Sequence, residues 1–188
     1  MEYREIITLK DGRTCVIRQG TAQDAEGVLR NFVLNHAQTD FLTTYPDENT
    51  FTVEQEEKYL QTTADSPDEA ELVAEVDGLI VGQAGIARVG RADKIKHRAT
   101  FGISIDIDYW HLGIGRALTK TCIELAKQAG YLQLELEAVR SGGDLENVGG
   151  DGQYSKTLVC PDGCVIFRLT AKPLGNPNFH RGGFWKEP

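Results

Sequence analysis

The 188-residue sequence predicts a mixed α/β (α+β) domain, a mostly antiparallel central sheet flanked by helices. Three observations predict it. Three strand patterns follow one another over residues 71–108, as in an antiparallel meander. Two helix patterns with capping signals come before the meander. A glycine-bearing turn, a helix and a further strand come after it, which is a βαβ unit.

Each element has a local reason. Thr14 to Arg18 alternates apolar and polar side chains, as a short strand does. Thr21 reads as an N-cap with Asp24 three residues on, and Ala25, Val28, Leu29, Phe32 and Val33 continue at helical spacing. Thr52 and Gln55 form a second capping pair and open a helix through Val53, Glu56, Tyr59 and Leu60, which Ser66-Pro67-Asp68 ends. Glu71 to Val76 and Leu79 to Val89 are strands joined by Asp77-Gly78, a strong hairpin signal. After a basic loop, Ala99 to Asp108 alternates, with Phe101, Ile103, Ile105 and Ile107 on one face. The turn Tyr109 to Gly115 breaks that strand. Arg116 to Gln128 is helical, with Leu118, Cys122, Leu125 and Ala129 in a stripe and Gly130 as C-cap. Tyr131 to Val139 is a strand with Leu132, Leu134 and Leu136 on one side. Thr157–Cys160 and Cys164–Thr170 suggest a last hairpin about Pro161-Asp162-Gly163, followed by an irregular tail.

The mass of 20.8 kDa suits one domain. No stretch approaches the ~20 apolar residues of a membrane helix. The N-terminus lacks the basic region and apolar run of a signal peptide, so a cytoplasmic protein with no membrane partner is expected. A net charge of −8 disfavours general nucleic-acid binding, so no nucleic-acid partner is expected either. Four cysteines do not make a disulfide scaffold. Cys160 and Cys164 flank a turn, but two ligands do not make a zinc site, so reduced thiols and no metal are expected.

The stretch from Ile103 to Leu118 carries the most chemistry. A helix start offers unpaired N–H groups and partial positive charge, and glycines let an anion approach them. Gly113 and Gly115 would line such a phosphate cradle, and Arg116 would add charge. The Walker spacing of Gly, four residues and Gly-Lys-Ser/Thr does not occur. Gly113-Ile114-Gly115-Arg116-Ala117-Leu118 has two of the three dinucleotide-fingerprint glycines, but lies mid-chain with only one βαβ unit.

At this turn the sequence resembles the GNAT superfamily of N-acetyltransferases, whose pyrophosphate motif is Gln/Arg-x-x-Gly-x-Gly/Ala. Here it stands as Trp110-His111-Leu112-Gly113-Ile114-Gly115, followed by Arg116-Ala117-Leu118, with Trp110 replacing the Gln or Arg. The resemblance covers roughly residues 14–139. It implies acetyl-CoA as co-substrate and direct acyl transfer to an amine. It implies a cofactor site of Ile103, Ile105, Leu112, Gly113, Ile114, Gly115, Arg116 and Ala117. It also implies that the family's fourth and fifth strands splay, and that the Ile105 backbone N–H polarises the thioester. Residues 1–141 would form the acyl-CoA-binding core. Residues 142–188 would form a divergent C-terminal part of the same domain, a loop, a hairpin and an irregular tail.

The family's second motif, Asn-x-x-Ala-x-x-Leu-Tyr, places a proton-donating Tyr on a helix after the fifth strand. Asn147 and Tyr154 reproduce the spacing, which makes Tyr154 the candidate acid for the leaving thiolate. Gly149, Gly150 and Gly152 fall where that helix should run, each costing about 1 kcal/mol against Ala, so a loop is expected instead. An insertion and a shifted reading frame both fit the abrupt rise in glycine. Other residues have smaller roles in prospect: Ser104 or Asp106 could steer the amine, and Glu135 or Glu137 could act as base. The acceptor is a small-molecule or peptide amine, and a homodimer is compatible with the pattern. The alternative is a GNAT-fold acyl-CoA-binding or partner-binding protein with little or no turnover.

Overall fold

The computed structural model describes residues 3–39, 42, 44–45, 47–48, 51–139, 154–159 and 164–170. Eight strands form one sheet: β1 (Arg4–Thr8), β2 (Thr14–Gln19), β3 (Ala70–Val76), β4 (Leu79–Arg88), β5 (Arg98–Ile105), β6 (Gln133–Val139), β7 (Tyr154–Val159) and β8 (Cys164–Thr170). Their order is β1-β2-β3-β4-β5-β6-β8-β7. Neighbours are antiparallel except β5 and β6, which are parallel. The helices are α1 (Ala25–Gln38), α2 (Val53–Ala64) and α3 (Ile114–Gln128). No helix among the described residues is long and apolar enough to cross a membrane.

Local signals explain most boundaries. Asp77 and Gly78 both adopt positive φ, 52° and 78°, and join Val76 to Leu79 in the two-residue turn that suits a twisted hairpin. Thr52 and Gln55 cap α2 reciprocally: the Gln55 N–H donates to the Thr52 hydroxyl at 3.3 Å, and the Thr52 N–H donates to Gln55 Oε1 at 2.8 Å. At the end of α3, Gly130 takes φ 84°. Its N–H donates to the Lys127 carbonyl and that of Tyr131 to the Ala126 carbonyl, which closes the helix in a Schellman arrangement.

The sheet buries both faces. On one face α3 lays Ile114, Leu118, Cys122, Leu125 and Ala126 against Leu72, Ala74, Ala84, Ile86 and Phe101. On the other, α1 and α2 cover Val73 and Ile80 with Ala25, Val28 and Leu60. Burying a side chain such as Leu60 or Leu72 contributes about 1.5–3 kcal/mol.

The structure corrects several expectations. β1 has no counterpart in the sequence reading, because its residues are half-buried or exposed along its length and give no one-sided apolar pattern. The first helix is preceded by a 3-10 turn at Ala22–Asp24 and runs five residues past Val33, which is 61 % exposed. Its inner side is Ala25, Val28, Asn31 and Asn35, and the two Asn side chains bond each other, Asn35 Nδ2 donating to Asn31 Oδ1 at 2.9 Å. β5 stops at Ile105, not Asp108. The Asp106 carboxylate accepts the Asp108 N–H at 3.1 Å and starts a 3-10 turn at Ile107–Tyr109, so Ile107 leaves the apolar face and is exposed. α3 begins two residues earlier than Arg116. Leu132 precedes β6 and is 49 % exposed instead of sharing a face with Leu134. β7 starts three residues before Thr157. Cys160 and the Pro161-Asp162-Gly163 turn lie outside the described residues, as does the 140–153 segment.

A charged cluster ties β2 to the start of α1. The Arg18 guanidinium donates to both Asp24 oxygens at 2.7 Å and to Glu75 Oε2 at 2.9 Å. The Thr21 N–H adds a bond to Asp24 Oδ2 at 2.8 Å. Burial alone would raise the Asp24 carboxyl, but the bonds from Arg18 and Thr21 outweigh it and hold it below its ordinary 3.8. A depressed carboxyl stabilises the fold above its unfolded value, and that stability is lost as pH falls through the folded value. Asp24→Asn is therefore expected to cost about 1–3 kcal/mol at neutral pH in urea unfolding. The gap to wild type should narrow below about pH 4.

Candidate functional site

The site begins where two neighbouring strands part. β6 pairs with β5 only at Arg98, Ala99 and Thr100 and then continues beside β8. Beyond Thr100, β5 is held on its β4 side alone, through Phe101–Ile86 to Ile105–Gly82. In an antiparallel pair the backbone groups of alternate residues face the partner strand. The Val89 N–H bonds the Arg98 carbonyl and the Asp106 N–H bonds the Val81 carbonyl, so residues 98, 100, 102, 104 and 106 face β4. Ile103 and Ile105 therefore turn their N–H and C=O groups into the gap between β5 and β6.

Trp110 fixes the end of this edge. Its indole Nε1–H donates to the Ile105 carbonyl at 2.8 Å, while the N–H of the same peptide unit, that of Asp106, donates to Val81 at 2.9 Å. The peptide plane after Ile105 is thus clamped from both sides. Gln38 of α1 clamps the next one: its Nε2 donates to Asp106 Oδ1 at 2.9 Å and its Oε1 accepts the Ile107 N–H at 3.0 Å. Asp106 is 9 % exposed and used in this way it is a structural cap. Trp110 occupies the place of the family's Gln or Arg and supplies a strand anchor there.

The glycine turn follows directly. His111 (φ 63°) and Gly113 (φ 106°) are both left-handed, and an added Cβ on Gly113 would meet open space. Gly113 is the N-cap of α3, and its carbonyl accepts the Ala117 N–H at 3.2 Å. Ala117 is therefore already committed to the helix ladder. The N–H groups of Ile114, Gly115 and Arg116 are the ones a first turn leaves without an intrahelical partner. No acidic residue occupies that turn, and Arg116 is exposed beside it. A Cβ on Gly115 would come within 3.2 Å of Ile105 Cδ1, so its smallness lets the helix start approach the strand edge. The Leu112 carbonyl accepts the Lys10 N–H at 3.2 Å, and the Arg13 guanidinium lies 4.8 Å from the Tyr109 ring centre. An open strand edge running to an unneutralised helix start can hold an extended chain ending in an anion.

Ile103, Ile105 and the Leu112–Ala117 turn thus share the C-terminal end of β5. Tyr154 is not brought to it. It opens β7 at the sheet edge, level with Leu169, Leu134 and Ala99 across the ladder. That row is about 14 Å from β5 by three strand spacings, and Ile105 is roughly 20 Å further along it. Glu135 is ion-paired with Arg98 at 2.6 Å.

A cavity of about 310 Å³ opens on the α1/α2 face of the same strands. Phe32, His36, Tyr59, Glu71, Gln83, Gly85, Gly102 and Ser104 line it, with Ile103 at its rim. Glu71, Gly85 and Gly102 are direct cross-strand neighbours on β3, β4 and β5. A Cβ on Gly85 would sit 2.1 Å from Glu71 Oε2, so the carboxylate lies over the bare β4 backbone. Burial pushes the Glu71 carboxyl up to about 8, helped by the neighbouring Glu56. Gln83 Oε1 is buried with no hydrogen-bond partner among the described residues. Of these, sequence reading weighed only Ile103 and Ser104 as site residues. Glu71 sits in a strand that reads as ordinary, and its glycine partner is fourteen positions away. An isolated Glu opposite a Gly in a predicted hairpin was the available signal.

Trp110→Phe keeps an aromatic ring but removes the indole N–H. It is expected to cost about 1 kcal/mol in urea unfolding and to speed hydrogen exchange at Asp106.

The comparisons with known proteins agree with this fold. An acetyltransferase of the GNAT family from Streptococcus pneumoniae superposes with a TM-score of 0.74 at 21 % identity, over 84 % of this chain and 99 % of that one. The GNAT domain of S. lividans PAT gives 0.71 at 19 %, over 89 % and 97 %. PaiA N-acetyltransferase from Thermoplasma acidophilum, solved in complex with coenzyme A, gives 0.65 at 15 %, over 84 % and 99 %. The family model described as Acetyltransferase (GNAT) family matches residues 31–143, more than half of the chain and inclusive of the open edge and the glycine turn, and the chain belongs to that family.

Proposed function

We propose that the protein is an N-acetyltransferase that moves an acetyl group from acetyl-CoA to a primary amine by direct attack. One observation carries the reading: β5 loses its β6 partner after Thr100, and the bared edge leads straight to the glycine start of α3. The residues fit the co-substrate. The Ile103 and Ile105 backbone groups face the gap, where an extended amide-bearing arm would pair as an added strand. The Gly113 turn has room for an anion, and the N–H groups of Ile114, Gly115 and Arg116 would hold it. Acetyl-CoA supplies the activated acyl group. The Ile105 N–H, held in place by the clamp on the next peptide, would polarise its carbonyl. That a relative in this fold was solved with coenzyme A supports the choice of co-substrate. Ile105 acts here through its backbone, so its side chain is free to serve the core.

Titration calorimetry tests the cradle. Acetyl-CoA is expected to bind the wild-type chain. Gly113→Val, which places a branched side chain on a left-handed backbone, should weaken binding at least tenfold. Equal affinity for the two proteins would overturn the assignment. Release of free thiol on adding a primary amine separates transfer from binding alone.

A further inference from the structure

Resting on the transferase reading, we propose that the cavity between α1, α2 and the β3–β5 surface receives the acceptor, and that Glu71 is the base that takes the proton of a small primary ammonium lacking a carboxylate. The first support is the row Glu71–Gly85–Gly102. Two successive strands carry no side chain beside the carboxylate. Nothing lies within 4 Å of a Cβ built on Gly102. The carboxylate therefore looks across bare backbone toward β5, where Ile103, the residue after Gly102, faces the gap about one strand spacing away and Ile105 lies roughly 7 Å further along. A side chain at either glycine would close that passage.

The second support is elimination among the titratable groups of the cavity. On α1, His36 uses both ring nitrogens, Nδ1 with the Phe32 carbonyl at 2.9 Å and Nε2 with the Thr44 hydroxyl at 3.0 Å. On α2, burial raises the Tyr59 phenol, with the Glu71 charge adding to it, so it stays protonated and does not serve as a base. Its hydroxyl lies 3.5 Å from Glu71 Oε2, the outer limit of a hydrogen bond. Glu56, also on α2, is 6 % exposed and its carboxyl is raised by burial. β4 and β5 present Gln83, Gly85, Thr100, Gly102 and Ser104, none of them charged. Among the described residues Glu71 is the carboxylate that lines the space, and its proton affinity suits exchange near neutral pH.

The charges also select the acceptor. Glu71 lines the cavity with the charge of Glu56 near it, and no Lys or Arg lines it among the described residues. A cation is drawn in, and a carboxylate beside the amine would be repelled. Gln83 Oε1 offers a buried acceptor for a second ammonium proton.

The step balances. The ammonium gives one proton to a Glu71 oxygen. The freed lone pair forms the C–N bond as the C–S bond of the thioester breaks. The departing thiolate takes the second amine proton, and Glu71 releases its own to solvent.

The test follows thiol release with phenethylamine, cadaverine and L-phenylalanine as acceptors, beside acetyl-CoA binding, for wild type, Glu71→Gln and Gly102→Val. Wild type is expected to use the two carboxylate-free amines at least tenfold better than L-phenylalanine. Wild-type kcat/KM should rise with pH up to about 8 as Glu71 ionises. Glu71→Gln should bind acetyl-CoA as wild type does and lose 100-fold or more in kcat/KM at pH 7. Its deficit should shrink as pH approaches the amine's own pKa. Its melting temperature at pH 9 should be equal or higher, because the raised carboxyl destabilises the fold once ionised. Gly102→Val should keep acetyl-CoA affinity and lose turnover. A deficit that is the same at every pH, unaltered kcat/KM in either variant, or preference for L-phenylalanine would overturn the proposal. Absence of acetyl-CoA binding by wild type would instead overturn the transferase reading beneath it.

Discussion

A parallel strand pair that lasts three residues governs this molecule. Had β6 stayed beside β5 to Ile105, the backbone groups of Ile103 and Ile105 would be spent on the sheet ladder. Separation after Thr100 leaves them facing a gap, and several contacts hold the geometry at that end. The Trp110 indole and the Val81 carbonyl grip one peptide plane, and Gln38 grips the next. Gly82 and Gly115 both lie against Ile105, each with a built Cβ 3.2 Å from one of its side-chain carbons. The α3 helix can then start directly beyond the strand, with Ile114 fully buried as its first residue.

The two faces of the sheet divide the work. Beneath α3 the packing is apolar and close, with Leu72, Ile86, Leu118 and Cys122 at 1 % exposure or less. That face fixes the position of β5 and of the helix start. Beneath α1 and α2 the packing is interrupted. Glycines at 85 and 102 leave a hollow, and an acidic side chain sits over it. A carboxyl raised by burial costs stability when it ionises, and a raised group in a cleft is a mark of chemistry more than of packing. Leu60, Val73 and Val28, just beyond the hollow, offset that cost with ordinary core burial.

Much of this was legible in the residues, and the exceptions have causes. Asp77-Gly78 and the Thr52–Gln55 pair act within four residues of chain, so their geometry follows from local chemistry alone. Gly113 and Gly115 read as a helix-start cradle for the same reason. The end of β5 was misjudged because Ile107 continues the alternation, while the Asp106 carboxylate offers the backbone a competing bond. β1 was missed because an edge strand with little buried surface has no periodicity to detect. Glu71 was missed for a different reason. Its environment is made by residues 14 and 31 positions further on, and only the cross-strand register brings those glycines beside it.

Hydrogen exchange with and without acetyl-CoA measures the central claim directly, because it reads individual backbone amides. Addition of acetyl-CoA is expected to protect the amides of Ile103, Ile105 and Ile114–Arg116, leaving those of β1 and β2 unchanged. Protection absent from the β5 edge and the α3 start, or confined to some other part of the fold, would contradict it.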